Sequence, residues 1–588
     1  MNLKENKIIN AVGKELIAKL FSSWFFMGAI MLFFSKTSQV GVDMFQGISL
    51  AAFVGVFVFF FAIQTVIQHF FSEIKAVPIC VLASVLLFTL ESAMRVSGSI
   101  VILGFVLIIA LAARYAYLAG LEINLSSEIC RTVAGALALL LTAFLTVIMV
   151  LRVLIYNVPN FDFGIFCNIM YNLKEHFQPL STCERDKLLS HFAVHFSPVL
   201  YLLLPIYYIF PSPMTVELAQ VFILLSGAAP LVLLMRKYKL DGTTKMFLTI
   251  AFFAFPAINY GSIYDFHENC FILPFLLWMF YFYEKGKSLP FFLFAVLTFT
   301  VKEEAFAYVF IFAVYILISK KDWKNSVLLM AAAAAYFAFA VYYISHFGEG
   351  IMSGRFANLK LADEGLSAVV RNVFESPILA VNELFRGIST DSSKLLYVIQ
   401  MLAPIAMLPF MSKKFSRLML LCPMLINLLS DYYYQCDLGK QYSFGITAFL
   451  FYAAVINLSE KDKMKQNYLS LTSAFISVVM MLSLMYPRFT SYAVTYSTNK
   501  ENFEKITEIL DEIPEDASVT ASTFFVPRLS ERDVIYEQHY HSKVDTDYLV
   551  LDLRYTTSVK AAEIEKPYIE AGYKVVAEEV GLIRVYCK

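Results

Sequence analysis

The sequence predicts a polytopic α-helical membrane protein with a small α/β domain at its carboxyl end. Composition is the first observation: 59% of the 588 residues are hydrophobic, 56 of them Phe and 34 Tyr, and only 16% are charged, against about a quarter in typical soluble domains. The second is length. Windows such as SIVILGFVLIIALAARYAYLAG (99–120) and VAGALALLLTAFLTVIMVL (133–151) reach the roughly 20 apolar residues that carry a helix across a bilayer. The third is an abrupt polar shift after Tyr486. The 47 basic residues balance 47 acidic ones, and zero net charge argues against a nucleic-acid partner.

Taking the elements in order, the chain is apolar from about Ile17 to Phe34, broken only by Lys19. That run is too long for the apolar core of a signal peptide, and no small-residue cleavage site follows it. It is expected to be the first membrane helix. About fifteen spans follow from apolar length: roughly 17–34, 48–69, 76–92, 99–119, 132–155, 214–235, 246–259, 269–283, 288–301, 304–319, 326–345, 395–411, 416–430, 443–458 and 467–486, with 196–210 as a further interfacial or re-entrant piece.

Orientation comes from Lys and Arg, which concentrate on the cytoplasmic side. One set of connections is basic: Lys4, Lys7, Lys14 and Lys19, then RKYK (236–239), EKGK (284–287), KKDWK (320–324), SKKFSR (412–417) and EKDKMK (460–465). The alternating set, including NYGSIYDFHEN (259–269) and DYYYQCDLGKQY (431–442), is poor in cations. With the amino terminus inside, stretches 156–195, 259–269, 302–304, 346–393, 431–442 and everything after 487 face outward, and seven of the eight histidines fall in them.

The chain thereby divides into an amino-terminal transmembrane module (1–131), a transmembrane core (132–486) and an extracytoplasmic domain (487–588). In the last, VIYEQ, DYLVLDLR and YKVVAEEVGLIRVYCK read as short strands and SVKAAEIEKPYIEAG as a helix, the alternation of a small α/β fold. It lacks the Gly-rich loop of a phosphate binder, which leaves recognition of a substrate or partner, or support, as its role. No internal repeat stands out. Cys167 and Cys183 share the first outward loop, where an oxidising exterior permits a disulfide; nothing else in the chain looks disulfide-stapled, which favours two unpaired thiols.

Four outward connections carry ionisable groups tight against apolar helices. The first holds Asp162, His191 and His195; the second Asp265, His267 and Glu268; the third Lys302, Glu303 and Glu304, which interrupt an apolar run; the fourth Asp431, Gln435, Asp437, Lys440, Gln441 and Tyr442. Bland readings exist for each: Asp162 is suited to cap a following helix, and His267 and Glu268 to mark the start of a span. Ionisable groups at membrane depth are nonetheless functional candidates by default. Meeting in one outer cavity, they would supply a general base, a phosphate-binding cation and ligands for Mg²⁺ or Mn²⁺, although no spacing specifies a metal geometry.

FDFGIF (161–166), HFSPVLYLLLPIYYIFPSP (195–213), YDFHENCFILP (264–274) and VKEEAFAYV (301–309) follow one another in an order that resembles the bacterial membrane-protein family called domain of unknown function 2079, whose members look like GT-C integral membrane glycosyltransferases. The resemblance covers roughly 150–450 and extends to IPEDASVTASTFFVPRLSERDVIY (513–536). It implies a GT-C-like fold in a bacterial cytoplasmic membrane. It also implies a polyprenyl-phosphate sugar donor, an acceptor in the cell envelope and transfer on the outer face. Asp162 matches the acidic position of the family's first outward loop, where it would act as general base. Lys302, with Arg355 as alternative, would stabilise the departing phosphate, while His195, His267 and Glu303 would orient groups or assist a divalent cation. Asp265, Glu268, Glu304, Gln441 and Tyr442 complete the expected substrate-binding set. Four spans precede the one leading into Asp162, more than is usual in GT-C proteins, and they read as an added module.

Two other classes fit intramembrane charge: a transporter or flippase, and a non-catalytic scaffold with a GT-C-like shell. Transporters commonly carry inverted repeats, and none is visible here. A charge chain through the midplane would favour transport, and an outward cavity at headgroup depth would favour transfer. The orientation predicts that protease added to intact cells clips the 487–588 domain; protection of that domain would reverse the topology.

Overall fold

The computed structural model describes residues 12–35, 48–71, 73–96, 98–349, 353–359, 365–390 and 392–588. Lys4 and Lys7, used above for orientation, lie outside these residues, as do parts of the 346–393 loop. Among the described residues nine helices are long and apolar enough to cross a membrane: Leu16–Phe34, Leu50–Phe70, Ala76–Ala93, Ile100–Leu118, Ser127–Leu154, Pro213–Lys237, Trp323–Phe347, Gln441–Leu458 and Lys463–Asp511. The remaining expected spans are realised as shorter pieces. Stretch 246–259 breaks into Gly242–Phe253 and Pro256–Ser262, and 288–301 becomes Ser288–Phe299. The 395–411 and 416–430 runs each pass through tight three-residue-per-turn segments. Prolines 256, 404, 409 and 423 account for much of this, since each removes a helical N–H and crowds the preceding turn. A helix of 12 residues, as in Ser288–Phe299, rises about 18 Å, short of the roughly 30 Å hydrocarbon core. Broken helices at that depth are tolerated where protein surrounds them.

The first four helices form a bundle that docks on the last one. Val77, Val81, Ile102 and Phe105 pack with Ile476, Val479 and Met480 in one buried cluster. Helix Leu50–Phe70 stays mostly outside that cluster, with Leu50, Val54, Val58 and Phe59 exposed, the expected condition of a face turned to lipid.

Helix Lys463–Asp511 begins on Asp462, whose carboxylate accepts from the Lys465 N–H at 3.0 Å, runs through Pro487, and kinks at Asn499, where φ −119° and ψ 20° leave the helical region before a second helical stretch reaches Asp511. The polar composition after Tyr486 therefore marks a change of surroundings and not the end of the helix. The stretch NFEKITEIL keeps helical spacing, and Phe503, Ile506 and Leu510 are buried.

In the first connection after the core's leading helix, β1 (Leu180–Ser181) pairs antiparallel with β2 (Leu189–Ser190). The carboxyl-terminal sheet has five strands, β3 (Val519–Ala521), β4 (Ile535–Glu537), β5 (Tyr548–Asp552), β6 (Lys574–Glu579) and β7 (Ile583–Cys587), in the order β4-β3-β5-β7-β6. Strands β4, β3 and β5 run parallel, while β7 is antiparallel to β5 and β6. Helix Ser558–Glu570 connects β5 to β6, its first turn capped by Thr557.

This domain is seated on the core. Phe525, Val526 and Ile535 share one buried cluster with Phe163, Cys167 and Ile169. The Asn168 amide donates to the Ser530 and Arg532 carbonyls at 3.0 and 2.9 Å. The Thr182 hydroxyl donates to the Ile535 carbonyl at 2.5 Å and accepts from its N–H at 3.0 Å. The sheet domain and the 156–195 loop therefore lie on the same side of the bundle.

Candidate active-site cavity

Helix Ser127–Leu154 carries Arg152 in its last turn, and the chain passes through Tyr156 in the left-handed region (φ 52°) into the wide turn Asn160–Gly164 and helix Ile165–His176. Gly164 is required there. A Cβ on it would lie 2.3 Å from Asn160 Oδ1 and 3.0 Å from Val526. Asp162 occupies the middle of the turn. It does not cap the following helix, as its residue type suggested. Its Oδ2 accepts instead from the Tyr264 hydroxyl at 2.5 Å, and among the described residues Oδ1 has no hydrogen-bond partner. Burial and the Asp162 charge push the Tyr264 phenol up, so it stays protonated and donates.

Beneath this turn Arg152 joins two buried carboxylates, with Nη1 2.9 Å from Glu217 Oε1 and Nη2 2.5 Å from Asp265 Oδ1. The other oxygen of Asp265 lies 3.5 Å from the Asp162 N–H. Burial raises the Asp265 carboxyl while the guanidinium opposes it.

Above the pair lies a cavity of about 580 Å³. Of the eleven residues predicted for the site, Asp162, His195, His267, Lys302, Arg355, Gln441 and Tyr442 line it. The other four stand outside its lining: Glu268, Glu303 and Glu304 hold basic groups of the wall, while Asp265 pairs with Arg152 beneath it. Glu268 is 2.9 Å from His267 and 3.4 Å from Lys302. Glu303 accepts from His195 Nδ1 at 2.8 Å. Glu304 pairs with Arg355 at 3.5 Å, whose guanidinium is also 5.4 and 5.2 Å from the Tyr432 and Tyr442 ring centres, a cation–π arrangement.

Lys302 is 1% exposed, and among the described residues its Nζ has no hydrogen-bond partner. Burial works against its charge, but Glu268, Glu304 and Glu303 outweigh burial and keep the group above its ordinary pKa. A buried ammonium short of acceptors is an open anion site. Burial likewise opposes ionisation of Glu303, yet His195, through its charge and hydrogen bond, helped by Lys302, holds it at about 2.

The sheet domain completes the wall with Glu537 and Tyr540. Glu537 accepts from the Asn160 amide at 2.8 Å. On the same side Glu184 accepts from His191 Nδ1 at 2.9 Å. Sequence reasoning passed over Arg152, Glu217, Tyr264, Glu184, Glu537 and Tyr540. Arg152 and Glu217 carried a usable signal, as lone charges within predicted spans; Glu537 and Tyr540 carried none, because only tertiary packing brings them here. Cys167 and Cys183 are free thiols. Among the described residues no three His, Cys, Asp or Glu side chains gather as a metal-ligand set. The carboxylates around the cavity pair with Tyr264, His191, His195, His267, Arg355 and Asn160, and Asp162 Oδ1 is left without a partner among the described residues.

Two outcomes follow for stability. Arg152→Met strands Glu217 and Asp265 as unpaired buried carboxylates and is expected to cost about 3–5 kcal/mol, read as a lowered thermal midpoint of the purified protein; an unchanged midpoint would dismiss the pairing. The folded pKa of Glu303, about 2, is below its ordinary 4.5, so the stabilisation it contributes is complete above pH 4.5 and is lost as pH falls toward 2. His195→Gln should therefore lower stability at neutral pH, with the gap to the native protein closing in acid; a gap independent of pH would contradict the assignment.

The family described as "Predicted membrane protein (DUF2079)" matches residues 152–584. Among solved structures, ArnT from Cupriavidus metallidurans bound to undecaprenyl phosphate is similar at 12% identity and a TM-score of 0.49, covering 77% of this chain and 97% of that one. The apo form of the same protein is similar at 11% identity and a TM-score of 0.42, covering 73% and 93%. No curated protein matches. With the family description spanning both the transmembrane core and the sheet domain, the chain belongs to the DUF2079 family of predicted membrane proteins.

Proposed function

We propose that the protein is a membrane glycosyltransferase that moves a sugar from a polyprenyl-phosphate donor to an acceptor hydroxyl on the outer face of a bacterial cytoplasmic membrane. One observation carries this reading. The Asp162 carboxylate, with one oxygen held by Tyr264, shares a cavity with Lys302, a buried ammonium that lacks a hydrogen-bond acceptor among the described residues. A base and an anion site in one enclosure match the two ends of an inverting displacement.

In that displacement Asp162 Oδ1 takes the proton of the acceptor hydroxyl as its oxygen bonds to the anomeric carbon. The bond from that carbon to the phosphate oxygen breaks, and its electron pair leaves on the polyprenyl phosphate. Lys302 and Arg355 stabilise the charge that develops there, and Tyr264 fixes the carboxylate while donating to its other oxygen. His195 and His267 keep their places through Glu303 and Glu268, ready to bond sugar hydroxyls. No step in this scheme is assigned to a divalent cation. Transport is less well supported. The ionisable groups of this site gather at one end of helices Ser127–Leu154 and Pro213–Lys237, with no series of them continuing along the helices toward the midplane.

Asp162→Asn keeps the shape and the Tyr264 contact but removes the base. Transfer from a polyprenyl-phosphate sugar in proteoliposomes is expected to fall about 10²–10⁴-fold with the thermal midpoint unchanged. Full activity in that variant would eliminate Asp162 as base.

A further inference from the structure

A second cavity, of about 560 Å³, plays no part in the proposed transfer. Its walls come from helix Ser127–Leu154, the Ala228–Lys237 half of the Pro213–Lys237 span, and helix Gly242–Phe253. Apolar residues, Ala134 and Ala229 among them, line most of it, and three cations, Arg131, Arg236 and Lys245, join them. Among the described residues none of the three has a carboxylate within ion-pairing distance; Arg131 only donates to the Ser127 carbonyl at 3.3 Å. The nearby Asp241 does not serve them. Its carboxylate caps helix Gly242–Phe253, accepting from the N–H groups of Thr243 and Thr244 at 2.8 and 3.1 Å and from the Thr244 hydroxyl at 3.1 Å.

Two helices fix where this cavity lies. Arg131 and Arg152 sit 21 residues apart on one helix, about 32 Å at 1.5 Å per residue. Glu217 and Arg236 sit 19 apart on the other span, about 29 Å. Since Arg152 and Glu217 pair beneath the Asp162 turn, Arg131 and Arg236 lie a hydrocarbon thickness away, at the opposite membrane face. An apolar groove rimmed by unpaired cations at headgroup depth has the chemistry of a phosphate-bearing lipid site.

We propose that this groove binds an anionic glycerophospholipid, its phosphate against Arg131, Arg236 and Lys245 and its acyl chains along the alanine-lined wall. Between phosphate lipids, mass action favours the one that is abundant in the leaflet over a scarce carrier. The bound lipid ties together the lower ends of the two helices whose upper ends hold the Arg152 pair. This assignment is independent of the transfer chemistry.

The test is native mass spectrometry of the full chain in detergent, titrated with dioleoylphosphatidylglycerol, dioleoylphosphatidylcholine or a polyprenyl monophosphate. Phosphatidylglycerol is expected to bind in preference to phosphatidylcholine. The R131Q/R236Q/K245Q variant should weaken its binding about a hundredfold, at roughly 1 kcal/mol for each cation, while R131K/R236K/K245R retains it. Equal binding of the two phospholipids by the native chain would overturn the proposal whether or not the variants fold. So would tighter binding of the polyprenyl phosphate at this groove, undiminished binding by the glutamine variant, or equal loss in the charge-retaining one.

Discussion

The guanidinium of Arg152 lies between Glu217 and Asp265, and the geometry of the site depends on that contact. A charge at the end of a membrane helix must be paired or hydrated, because an uncompensated one is costly. Here the requirement brings together three stretches distant in sequence: the helix leading into Asp162, the span that carries Glu217, and the YDFHEN connection. Asp265 then reaches up to the backbone of Asp162, and its neighbour Tyr264 donates to that residue's carboxylate. The ion pair is thus less a source of stability than a device for register.

Around the cavity the same logic recurs in pairs. Four of the basic groups that face inward are backed by carboxylates outside the cavity's lining: His267 and Lys302 by Glu268, His195 by Glu303, Arg355 by Glu304. Such backing keeps Lys302 and Arg355 charged in a low-dielectric wall while leaving the cavity open to an anion. Lys302 goes furthest, since its charge is secured by neighbouring carboxylates but its hydrogen-bonding capacity is not filled. The sheet domain closes one side through Glu537 and Tyr540, which makes it part of the enclosure as well as a support.

The membrane class was legible from apolar length, and the site's basic and acidic groups from their position beside apolar runs. Asp162, His267, Lys302 and Arg355 share one cavity although they span nearly two hundred positions of sequence. The division of labour within the set was not legible. Whether Glu268 lines the cavity or stands behind Lys302 depends on which way a short turn rotates, and neither propensity nor hydropathy encodes that. The spans around Pro256, Pro404 and Pro409 were read as continuous because a hydropathy window averages over a proline, whereas the backbone breaks at it. The continuation of the last helix past Tyr486 was missed for the converse reason: polarity changed while helical periodicity did not.

The central claim is that Lys302 and Asp162 address the two ends of one bond, and a structure of the full chain in lipid with a polyprenyl phosphate added tests it most directly. The account predicts phosphate density within hydrogen-bond distance of Lys302 Nζ, inside the cavity that Asp162 lines. Phosphate bound elsewhere, with the Lys302 wall filled only by water or by protein side chains, would contradict it.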